Sequence, residues 1–305
     1  MDCFSELNIK SDTSIAIMLE GIRLGFEIWT ANPNKLTFFD SKVNILAKKV
    51  LNCNLDLSKE NDCCLEDFDF FFIRQDPPFD IRYITNCYLL ELHKSMRKKP
   101  FFINDPSGIK NFTEKIFPLY FNNFMPPTMV TSDEKGFRQM LQKFSTVVIK
   151  PLYCKGGEGI YKVELNQNNS SSKFKNLIKK YKAPVVVQEF IENVKFGDKR
   201  VIFVDGSPVG VVNRIPKSGA FKANLHLGGR AQRTKLTEIE KQICSVLGPF
   251  FKKNNLFLVG IDLIDQKLTE INVTSPTGIK QIDDLNDTNL SKKIWKKLEK
   301  YIVYT

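Results

Sequence analysis

Histidine is scarce in this chain, and the shortage narrows the chemistry that the chain can perform. The 305 residues include only His93 and His226, which argues against a histidine-rich zinc centre and disfavours a Ser-His-Asp hydrolase. Seven cysteines are scattered without a Cys-x-x-Cys pair. The N-terminus has no basic stretch followed by an apolar one, so these cysteines predict reduced thiols in a cytoplasmic protein without a secretory signal.

Long hydrophobic runs are lacking as well. No stretch approaches the roughly 20 apolar residues of a membrane-spanning helix, so no membrane partner is expected. Positive charge, by contrast, is in excess: 45 Lys and Arg face 34 Asp and Glu, a net charge of +11. A lysine-rich composition explains this excess best, anionic small-molecule substrates come second, and nucleic acid is the least favoured partner. The hydrophobic fraction of 42% is typical of soluble globular proteins.

Strands and helices alternate along the sequence in the manner of an α/β protein. Asp12 precedes apolar residues at helical spacing and marks the start of a helix, whereas the apolar run 68–73 is typical of a buried parallel strand. The predicted helices are 13–24, 81–96, 107–116, 133–144, 173–182, 236–253 and 289–300. The predicted strands are 26–29, 68–73, 101–103, 127–131, 147–150, 160–164, 185–190, 199–204, 208–215, 256–264 and 267–273.

Turn residues at 104–108 indicate a boundary between structural units. We therefore expect an N-terminal α/β domain at 1–105. The remainder is long enough for two further packed units, a central lobe at 106–191 and a C-terminal lobe at 192–305.

A glycine-bearing segment follows the predicted strand that ends at Lys150. Gly156 and Gly157 let backbone N–H groups approach an anion closely, and the lysine adds a positive charge for a phosphate. The segment is not a Walker A loop, because a strand rather than a helix follows it. Taken alone, a plain glycine hairpin explains the segment equally well.

Two further strands carry polar side chains at one end. The strand 185–190 ends in a hinge that can offer backbone groups to an adenine edge, although an ordinary strand end is the more frequent case. Asp198 and Arg200 open the next apolar strand. Arginine suits bidentate recognition of phosphate or carboxylate, and a solvated strand end is the alternative.

The most specific pattern lies near the C-terminus. Asp262 stands alone in an otherwise apolar strand, which costs free energy unless the carboxylate is paired or bound to a metal. Glu270 and Asn272 are two residues apart, so they point to one face of the following strand. The two strands are predicted to pair as a hairpin and to present three oxygen-bearing side chains on one side. Such ligands suit Mg²⁺ or Mn²⁺, and a buried hydrogen-bonding cluster is the alternative.

A long basic loop at 216–232 follows Arg214 and contains Asn224, Gly229 and Arg230. Loops of this length without regular structure are usually functional or mobile. A basic loop with glycines can close over an anionic intermediate and exclude water, whereas the alternative is a plain exposed loop.

Taken together, these patterns resemble the ATP-grasp superfamily and, within it, the bacterial-type glutathione synthetases. The resemblance covers essentially the whole chain. The segments that carry it are Arg74-Gln75-Asp76-Pro77-Pro78-Phe79-Asp80, Gly197-Asp198-Lys199-Arg200-Val201, Arg214-Ile215-Pro216, Asn224 with Gly228-Gly229-Arg230, and Leu268-Thr269-Glu270-Ile271-Asn272-Val273-Thr274-Ser275-Pro276-Thr277. It implies an α/β N-terminal domain followed by a two-lobed ATP-grasp domain of α+β character. It also implies the reaction of γ-glutamylcysteine, glycine and ATP to give glutathione, ADP and phosphate.

The resemblance implies roles for individual residues. The implied nucleotide contacts are Lys115, Lys150, Gly156, Gly157, Glu189, Phe190, Ile191 and, at the ribose, Asp198. The implied metal ligands are Asp262, Glu270 and Asn272, and the arginines beside the transferred phosphate are Arg200 and Arg214. The residues implied near the peptide substrate are Arg74, Asp76, Asn224, Gly229, Arg230, Ser275, Pro276 and Thr277.

Three features depart from the family pattern. Tyr153-Cys154-Lys155 stands where Asp-Gly-Met-like residues are usual, and Lys222 replaces an arginine, which loses bidentate geometry. Family members also open with a β-strand ahead of the segment that matches Met1. We therefore expect an upstream start, since a missing first strand would expose a sheet edge. A homo-oligomer is expected.

Two other functions stay open from the sequence alone. The first is a different ATP-grasp carboxylate–amine ligase, which the metal ligands cannot exclude. The second is a basic, non-catalytic binding protein, perhaps for nucleic acid, that uses the lysines of the C-terminal helix. Ile294, Trp295 and Leu298 interleave with those lysines at helical spacing, so the helix is predicted to be amphipathic with a solvated lysine face.

Overall fold

The computed structural model describes residues 1, 4 and 7–302, which form helices and four sheets. The α-helices are α1 Thr13–Arg23, α2 Ile81–Met96, α3 Pro106–Asn111, α4 Glu134–Phe144, α5 Ser170–Tyr181, α6 Glu238–Lys253, α7 Ile279–Asn286 and α8 Leu290–Leu298. The strands are β1 Trp29–Phe39, β2 Lys42–Val50, β3 Leu57–Cys64, β4 Phe70–Phe72, β5 Phe101–Ile103, β6 Thr128–Thr131, β7 Thr146–Pro151, β8 Tyr161–Glu164, β9 Val185–Glu189, β10 Asp198–Val204, β11 Ser207–Ile215, β12 Arg230–Gln232, β13 Leu258–Ile264 and β14 Lys267–Asn272.

The N-terminal part contains two small sheets. β4 and β5 pair in parallel, and β1, β2 and β3 form an antiparallel sheet. The sheet of β1, β2 and β3 is not predicted from the sequence, and the predicted strand 26–29 is wrong because β1 begins at Trp29. Val43, Ile45 and Ala47 alternate as buried residues in β2, which is a strand signal. β1 and β3 are largely exposed, so burial periodicity cannot reveal them.

The central part is a four-stranded antiparallel sheet in the order β6-β9-β7-β8. One face packs on α4 and α5, where Phe137 and Phe174 stack with ring centroids 4.6 Å apart. Ile149 and Val187 belong to this packed face. Because side chains alternate along a strand, their neighbours Lys150 and Gln188 project from the opposite face.

The C-terminal part is a five-stranded antiparallel sheet in the order β12-β11-β10-β13-β14. Its middle strand, β10, is covered on both faces. Val201 and Phe203 pack in the cluster that contains α6, whereas Ile202 and Val204 pack with α7 and α8. The sheet is therefore the rigid centre of the molecule, and functional side chains can be placed accurately at its ends.

Most predicted elements are present with ends shifted by at most three residues. The predicted helix 107–116 is wrong at its end, because α3 stops at Asn111 and a 3₁₀ segment runs from Phe117 to Phe124. Residues between them turn toward β14 instead: the Ile271 N–H donates to the Glu114 carbonyl over 3.2 Å. Helix α7 was not predicted from the sequence, and the predicted helix 289–300 ends at Leu298.

The C-terminal helix α8 is amphipathic, as predicted. Ile294, Trp295 and Leu298 are buried, and the Trp295 indole donates to the Ile17 carbonyl over 2.8 Å. Further along, Lys297 donates to the Val204 carbonyl over 2.7 Å. The apolar face of α8 therefore packs in the core, while Lys292, Lys293 and Lys296 are exposed. Within the described residues, no helix has both the length and the apolarity required to cross a membrane.

Asn104 joins the N-terminal part to the C-terminal sheet. Its buried side-chain amide donates to the Leu258 carbonyl over 2.8 Å and to the Val273 carbonyl over 2.7 Å. Its carbonyl oxygen accepts from the Leu258 N–H over 2.7 Å. Three hydrogen bonds from one buried side chain thus fix the end of β5 against β13 and the residue that follows β14.

We expect Asn104→Ala to lower the free energy of unfolding by about 2–4 kcal/mol, because it leaves buried backbone groups without partners. Asn193→Ala is the matched control, since the exposed side chain of Asn193 donates a 2.9 Å hydrogen bond to the surface residue Asp265. Urea unfolding of both variants measures the difference. Equal stability of the two would contradict the structural role of Asn104.

Candidate active site

Three neighbouring strands place a row of charged residues across the C-terminal sheet. Arg200 on β10 is the register partner of Asp262 on β13, and Asp262 is in turn the partner of Glu270 on β14. Asn272 lies two residues after Glu270, opposite Gly260, so it shares a face with the row. The structure thus brings together the three oxygen-bearing residues that the sequence analysis grouped.

Asp262 is buried between two guanidinium groups. Arg200 Nε and Nη2 lie 2.5 and 2.9 Å from its two carboxylate oxygens, and Arg214 Nη2 lies 2.9 Å from Oδ1. Burial raises the pKa of Asp262, but the two arginines outweigh that effect and hold it below its usual range. Asp262 is therefore ionised at every physiological pH. Asn272 Nδ2 lies 3.4 Å from its Oδ2.

Asp198 shares Arg214 with Asp262. Arg214 Nη2 donates to Asp198 Oδ2 over 2.5 Å, and the two residues are register partners on β10 and β11. Burial raises the pKa of Asp198 to about 6, although Arg214 acts in the opposite direction. Among the described residues, nothing donates a hydrogen bond to the buried Oδ1 of Asp198. This oxygen is an acceptor that suits a hydroxyl group of a ligand.

Glu270 lies at the more open end of the row and pairs with a buried lysine. Lys115 Nζ is 2.9 Å from Glu270 Oε1 and donates to the Cys154 carbonyl over 2.7 Å. Burial lowers the pKa of Lys115, but the carboxylates of Glu270 and Glu114 outweigh it, so the net shift is upward. Glu114 was not predicted as a site residue. It is buried, and it accepts from Thr274 Oγ1 over 2.5 Å.

Lys150 faces the same region from the central sheet. Its Nζ donates to the Gln188 side-chain oxygen over 2.8 Å, and Gln188 in turn donates to Thr128 Oγ1 over 2.8 Å. Burial lowers the pKa of Lys150, so a negatively charged ligand would favour its charged form. Gln188 is a second site residue that was not predicted. The feature of the sequence that could have identified it is a polar side chain within the apolar strand Val185–Glu189.

Residues 153–159, called the phosphate loop after the role that the resemblance implies, follow β7 and contact Lys115, the partner of Glu270. Gly156 and Gly157 have φ values of +66° and +80°, a region that glycine enters without strain. The Gly157 carbonyl accepts from Lys222 Nζ over 2.8 Å. Lys222 belongs to the lid segment, residues 216–232, so the basic loop predicted from the sequence lies directly on the phosphate loop.

The hinge residues predicted to contact adenine follow the central sheet. Glu189, Phe190 and Ile191 are half-buried. The Glu189 N–H donates to the Pro127 carbonyl over 2.9 Å, and the Phe190 ring meets Phe221 of the lid segment edge to face at 6.0 Å. The lid segment thus contacts both the hinge and the phosphate loop.

The predicted substrate residues fall into two groups. Arg74 is buried and donates to Ser14 Oγ over 3.0 Å and to the Pro276 carbonyl over 3.1 Å. Arg200 Nη1 donates to the Thr277 carbonyl over 3.1 Å, and Ser275 lies just ahead of these two residues. Arginines from two parts of the molecule therefore hold the 275–277 segment beside the charged row.

The second group lies on the lid segment and the N-terminal part. The Gly229 N–H donates to the Asn224 carbonyl over 3.3 Å, and a Cβ at Gly229 would lie 2.5 Å from the Ala223 carbonyl oxygen. Arg230 begins the edge strand β12 and is exposed. Asp76 pairs with Lys155 of the phosphate loop over 2.5 Å. The structure does not bring Arg230 into the charged row.

A separate cavity of about 410 Å³ lies between α1, the start of β1 and β4. Its described walls are mainly aromatic and aliphatic, and they include one of the predicted site residues, Arg74. Because Asp262, Lys115 and Lys150 lie elsewhere, we place the chemistry at the charged row and not in this cavity.

The oxygen ligands of the row suit a divalent cation that binds together with phosphate groups. Asp262, Glu270 and Asn272 offer hard oxygen atoms, as Mg²⁺ requires. Within the described residues, however, no group of three or more His, Cys, Asp or Glu side chains is arranged to hold a metal ion. Four cationic side chains (Arg200, Arg214, Lys115, Lys150) and four carboxyl groups (Asp198, Asp262, Glu270, Glu114) lie together there, and Asp262 and Glu270 already pair with cations. A bare dication would meet those cations at close range, whereas nucleotide phosphates would offset their charge.

The fold is that of ATP-grasp ligases. The macrocyclase MdnC from Microcystis aeruginosa, solved with its precursor peptide MdnA, matches with a TM-score of 0.60 at 15% identity over 97% of each chain. The D-cycloserine synthetase DcsG matches with a TM-score of 0.58 at 14% identity over 77% of this chain and 85% of that chain. At these identities the likeness concerns the fold alone.

Sequence comparison gives the family. The family described as prokaryotic glutathione synthetase matches with its N-terminal domain over residues 1–110 and with its ATP-grasp domain over 114–287. Glutathione synthetases of Mesorhizobium japonicum and Bradyrhizobium diazoefficiens are 36% and 37% identical over 98% of this chain and 96% of theirs. That of Prochlorococcus marinus is 37% identical over 98% of this chain and 97% of its own. The chain belongs to the prokaryotic glutathione synthetase family, and it is an ATP-dependent ligase.

Removing the negative charge of Asp262 should lower the free energy of unfolding more than removing that of Glu270. We expect Asp262→Asn to lower the free energy of unfolding by about 3–5 kcal/mol, because it leaves Arg200 and Arg214 buried without their shared counterion. Glu270→Gln should cost less, about 1–2 kcal/mol, because Glu270 lies at the open end of the row. Thermal and urea unfolding measure both. Equal losses would contradict this account of the row.

We nevertheless expect Glu270→Gln to lower turnover by about two to three orders of magnitude while the protein stays folded, because the resemblance implies Glu270 as a metal ligand and an amide binds Mg²⁺ more weakly than a carboxylate. Glu91→Gln is the control, since Glu91 is also a partly exposed, lysine-paired glutamate but lies on α2. Steady-state ADP release compares the two. Full activity of Glu270→Gln would show that Glu270 is not an active-site residue.

Proposed function

We propose that this ligase joins γ-glutamylcysteine to glycine and forms glutathione, with ADP and phosphate as the other products. The observation that carries the proposal is the row Arg200-Asp262-Glu270, which contacts Lys115 at one end and the 275–277 segment at the other. This arrangement suits a reaction between an anionic peptide and a nucleotide. The names of the family and of the similar enzymes supply the identity of the peptide.

A carboxylate is a poor electrophile, so it must be activated before an amine can attack it. The cysteinyl carboxylate of the dipeptide takes the γ-phosphoryl group of ATP, which gives an acyl phosphate and ADP. The glycine amine then attacks the acyl carbon, phosphate leaves, and the nitrogen loses a proton. The protein contributes positioning and charge stabilisation to these steps, which suits a site rich in lysine and arginine.

The nucleotide would lie between the central and C-terminal sheets. Lys115 and Lys150 would bind its phosphates, and the backbone at Gly156 and Gly157 would approach them closely. Glu189, Phe190 and Ile191 would contact the adenine, and the buried Oδ1 of Asp198 would accept from a ribose hydroxyl. The absence of a donor to that oxygen among the described residues supports this assignment.

We propose Asp262, Glu270 and Asn272 as ligands of Mg²⁺ or Mn²⁺. When bound there, the ion neutralises charge on the nucleotide phosphates. Arg200 and Arg214 would keep Asp262 ionised and correctly oriented, in addition to their proposed place beside the transferred phosphate. All three nitrogens of the Arg200 guanidinium group already hold Asp262 or Thr277, which supports a positioning role as well.

The peptide substrate would lie along the 275–277 segment, with Arg74 and Asp76 on one side and Asn224, Gly229 and Arg230 on the lid segment. A closed lid excludes water, which would otherwise hydrolyse the acyl phosphate. We also propose that the chain divides into a first domain at 1–105, a central lobe at 106–191 and a C-terminal lobe at 192–305.

Omission of single substrates tests the reaction. With Mg²⁺ and ATP present, sustained ADP release should require both γ-glutamylcysteine and glycine, and mass spectrometry should detect glutathione. Leaving out either substrate should abolish sustained release. If ADP release stays at background with both substrates, the proposed reaction is wrong. If other amino acids replace glycine equally well, the ligase has a different acceptor.

Nucleotide should control metal binding, because the proposed metal ligands Asp262 and Glu270 already pair with Arg200, Arg214 and Lys115. We expect ADP to tighten Mn²⁺ binding by about tenfold or more, which corresponds to about 1.4 kcal/mol. Electron paramagnetic resonance of free Mn²⁺, with and without ADP, measures this change, and a titration of Mn²⁺ with ADP alone corrects for the nucleotide's own affinity. Equally tight binding without ADP would contradict the charge argument.

A further inference from the structure

The phosphate loop is attached to the substrate segment 74–80 of the N-terminal part by three contacts. Lys155 Nζ lies 2.5 Å from Asp76 Oδ2. The Phe79 N–H donates to the Tyr153 carbonyl over 3.0 Å, and the two aromatic rings stack with centroids 6.4 Å apart. Both attachment residues of the loop, Tyr153 and Lys155, belong to the tripeptide that departs from the family pattern.

The same loop is attached to the charged row through its middle residue. The Cys154 carbonyl accepts from Lys115 Nζ, which also pairs with Glu270. A continuous series of contacts therefore runs from Asp76 through Lys155 and the loop backbone to Lys115. One end of this series lies at the proposed peptide site, and the other lies at the proposed phosphate site.

We propose that Lys155 is a positioning residue that couples the nucleotide site to the peptide site. By holding Asp76 against the phosphate loop, it makes the conformation of segment 74–80 depend on that of the loop. A nucleotide that orders the loop then orders the segment that receives the peptide, and the reverse holds by thermodynamic reciprocity. This inference rests on the proposed function for the identity of the peptide.

The strength of the ion pair sets the size of the effect. Half of the Lys155 side chain and about a third of the Asp76 side chain are exposed, at 51% and 31%. Exposed pairs contribute modestly to stability, so Lys155 should matter little for folding. Its loss should instead reduce the coupling between the two ligands by about two- to fivefold, the range that such pairs span.

Two variants isolate this role. Lys155→Met removes the charge but keeps the aliphatic stem, and Lys155→Arg keeps a cation that can pair with Asp76. Lys180→Met is the matched control. Lys180 is a similarly exposed lysine, 3.0 Å from Glu158 of the same loop, and no hydrogen bond or ion pair found for it in the described part of the chain reaches segment 74–80.

Isothermal titration calorimetry with Mg²⁺ measures the coupling in the full-length protein. The dissociation constant of γ-glutamylcysteine is determined with and without a non-hydrolysable ATP analogue, and the ratio of the two is the coupling factor. We expect the unmodified protein to bind the dipeptide more tightly with the analogue. Lys155→Met should lower the ratio by about two- to fivefold, while Lys155→Arg and Lys180→Met should retain it.

Three results would overturn the inference. The first is an unchanged ratio in Lys155→Met. The second is an equal loss in Lys180→Met, which would indicate a general effect of charge near the loop. The third is weaker binding of the analogue alone with the ratio intact, which would make Lys155 a direct phosphate contact. Failure of the unmodified protein to bind the dipeptide in either state would instead reject the proposed function, and the inference with it.

Discussion

The carboxylate of Asp262 buried between Arg200 and Arg214 is the interaction on which the rest of the site depends. A buried charge is tolerated only when its partners are close and well oriented, and here the register of β10, β11 and β13 supplies them. Arg200 reaches onward to the Thr277 carbonyl, and Arg214 reaches Asp198. One anion thus fixes two cations, and these cations hold the 275–277 segment and Asp198, the proposed ribose contact.

This arrangement means that the site is charged and ordered before any ligand arrives. Electrostatic stabilisation in an enzyme is effective when its dipoles and charges need no reorganisation during the reaction. The inner residues meet this condition, because Asp262, Arg200 and Arg214 are buried and mutually bonded. The outer parts of the site, Glu270 and the lid segment, are more exposed. Glu270 contacts the phosphate loop through Lys115, and the lid segment contacts it through Lys222. We expect these outer parts to change conformation when ligands bind.

Much of the charged row can be predicted from the sequence. Alternation along two strands predicted that Asp262, Glu270 and Asn272 share one side, and pairing of those strands makes them neighbours. The arginine pairing of Asp262 was not predictable from spacing, because it depends on the register of β10 and β11 against β13. Lys115 was assigned to the site by resemblance, yet it was placed in a helix that in fact ends at Asn111.

The other omissions have physical causes of the same kind. Glu114 and Gln188 are polar residues whose burial is decided by distant partners, Thr274 and Lys150. The antiparallel sheet of β1, β2 and β3 is largely exposed on two of its strands, so the alternation that marks a half-buried strand is present only in β2. Contacts between remote segments determine each of these features, so local patterns record them only in part, through the alternation in β2 and the polar Gln188 in an apolar strand.

The hydrogen bonds of Asn104 restrict relative movement of two parts of the molecule. They join the end of β5 to β13 and to Val273, which follows β14. The hydrogen bonds from Arg74 to Pro276 and from Trp295 to Ile17 reinforce this connection. We therefore expect the N-terminal and C-terminal parts to move together, and any opening of the proposed nucleotide cleft to involve the central four-stranded sheet and the lid segment.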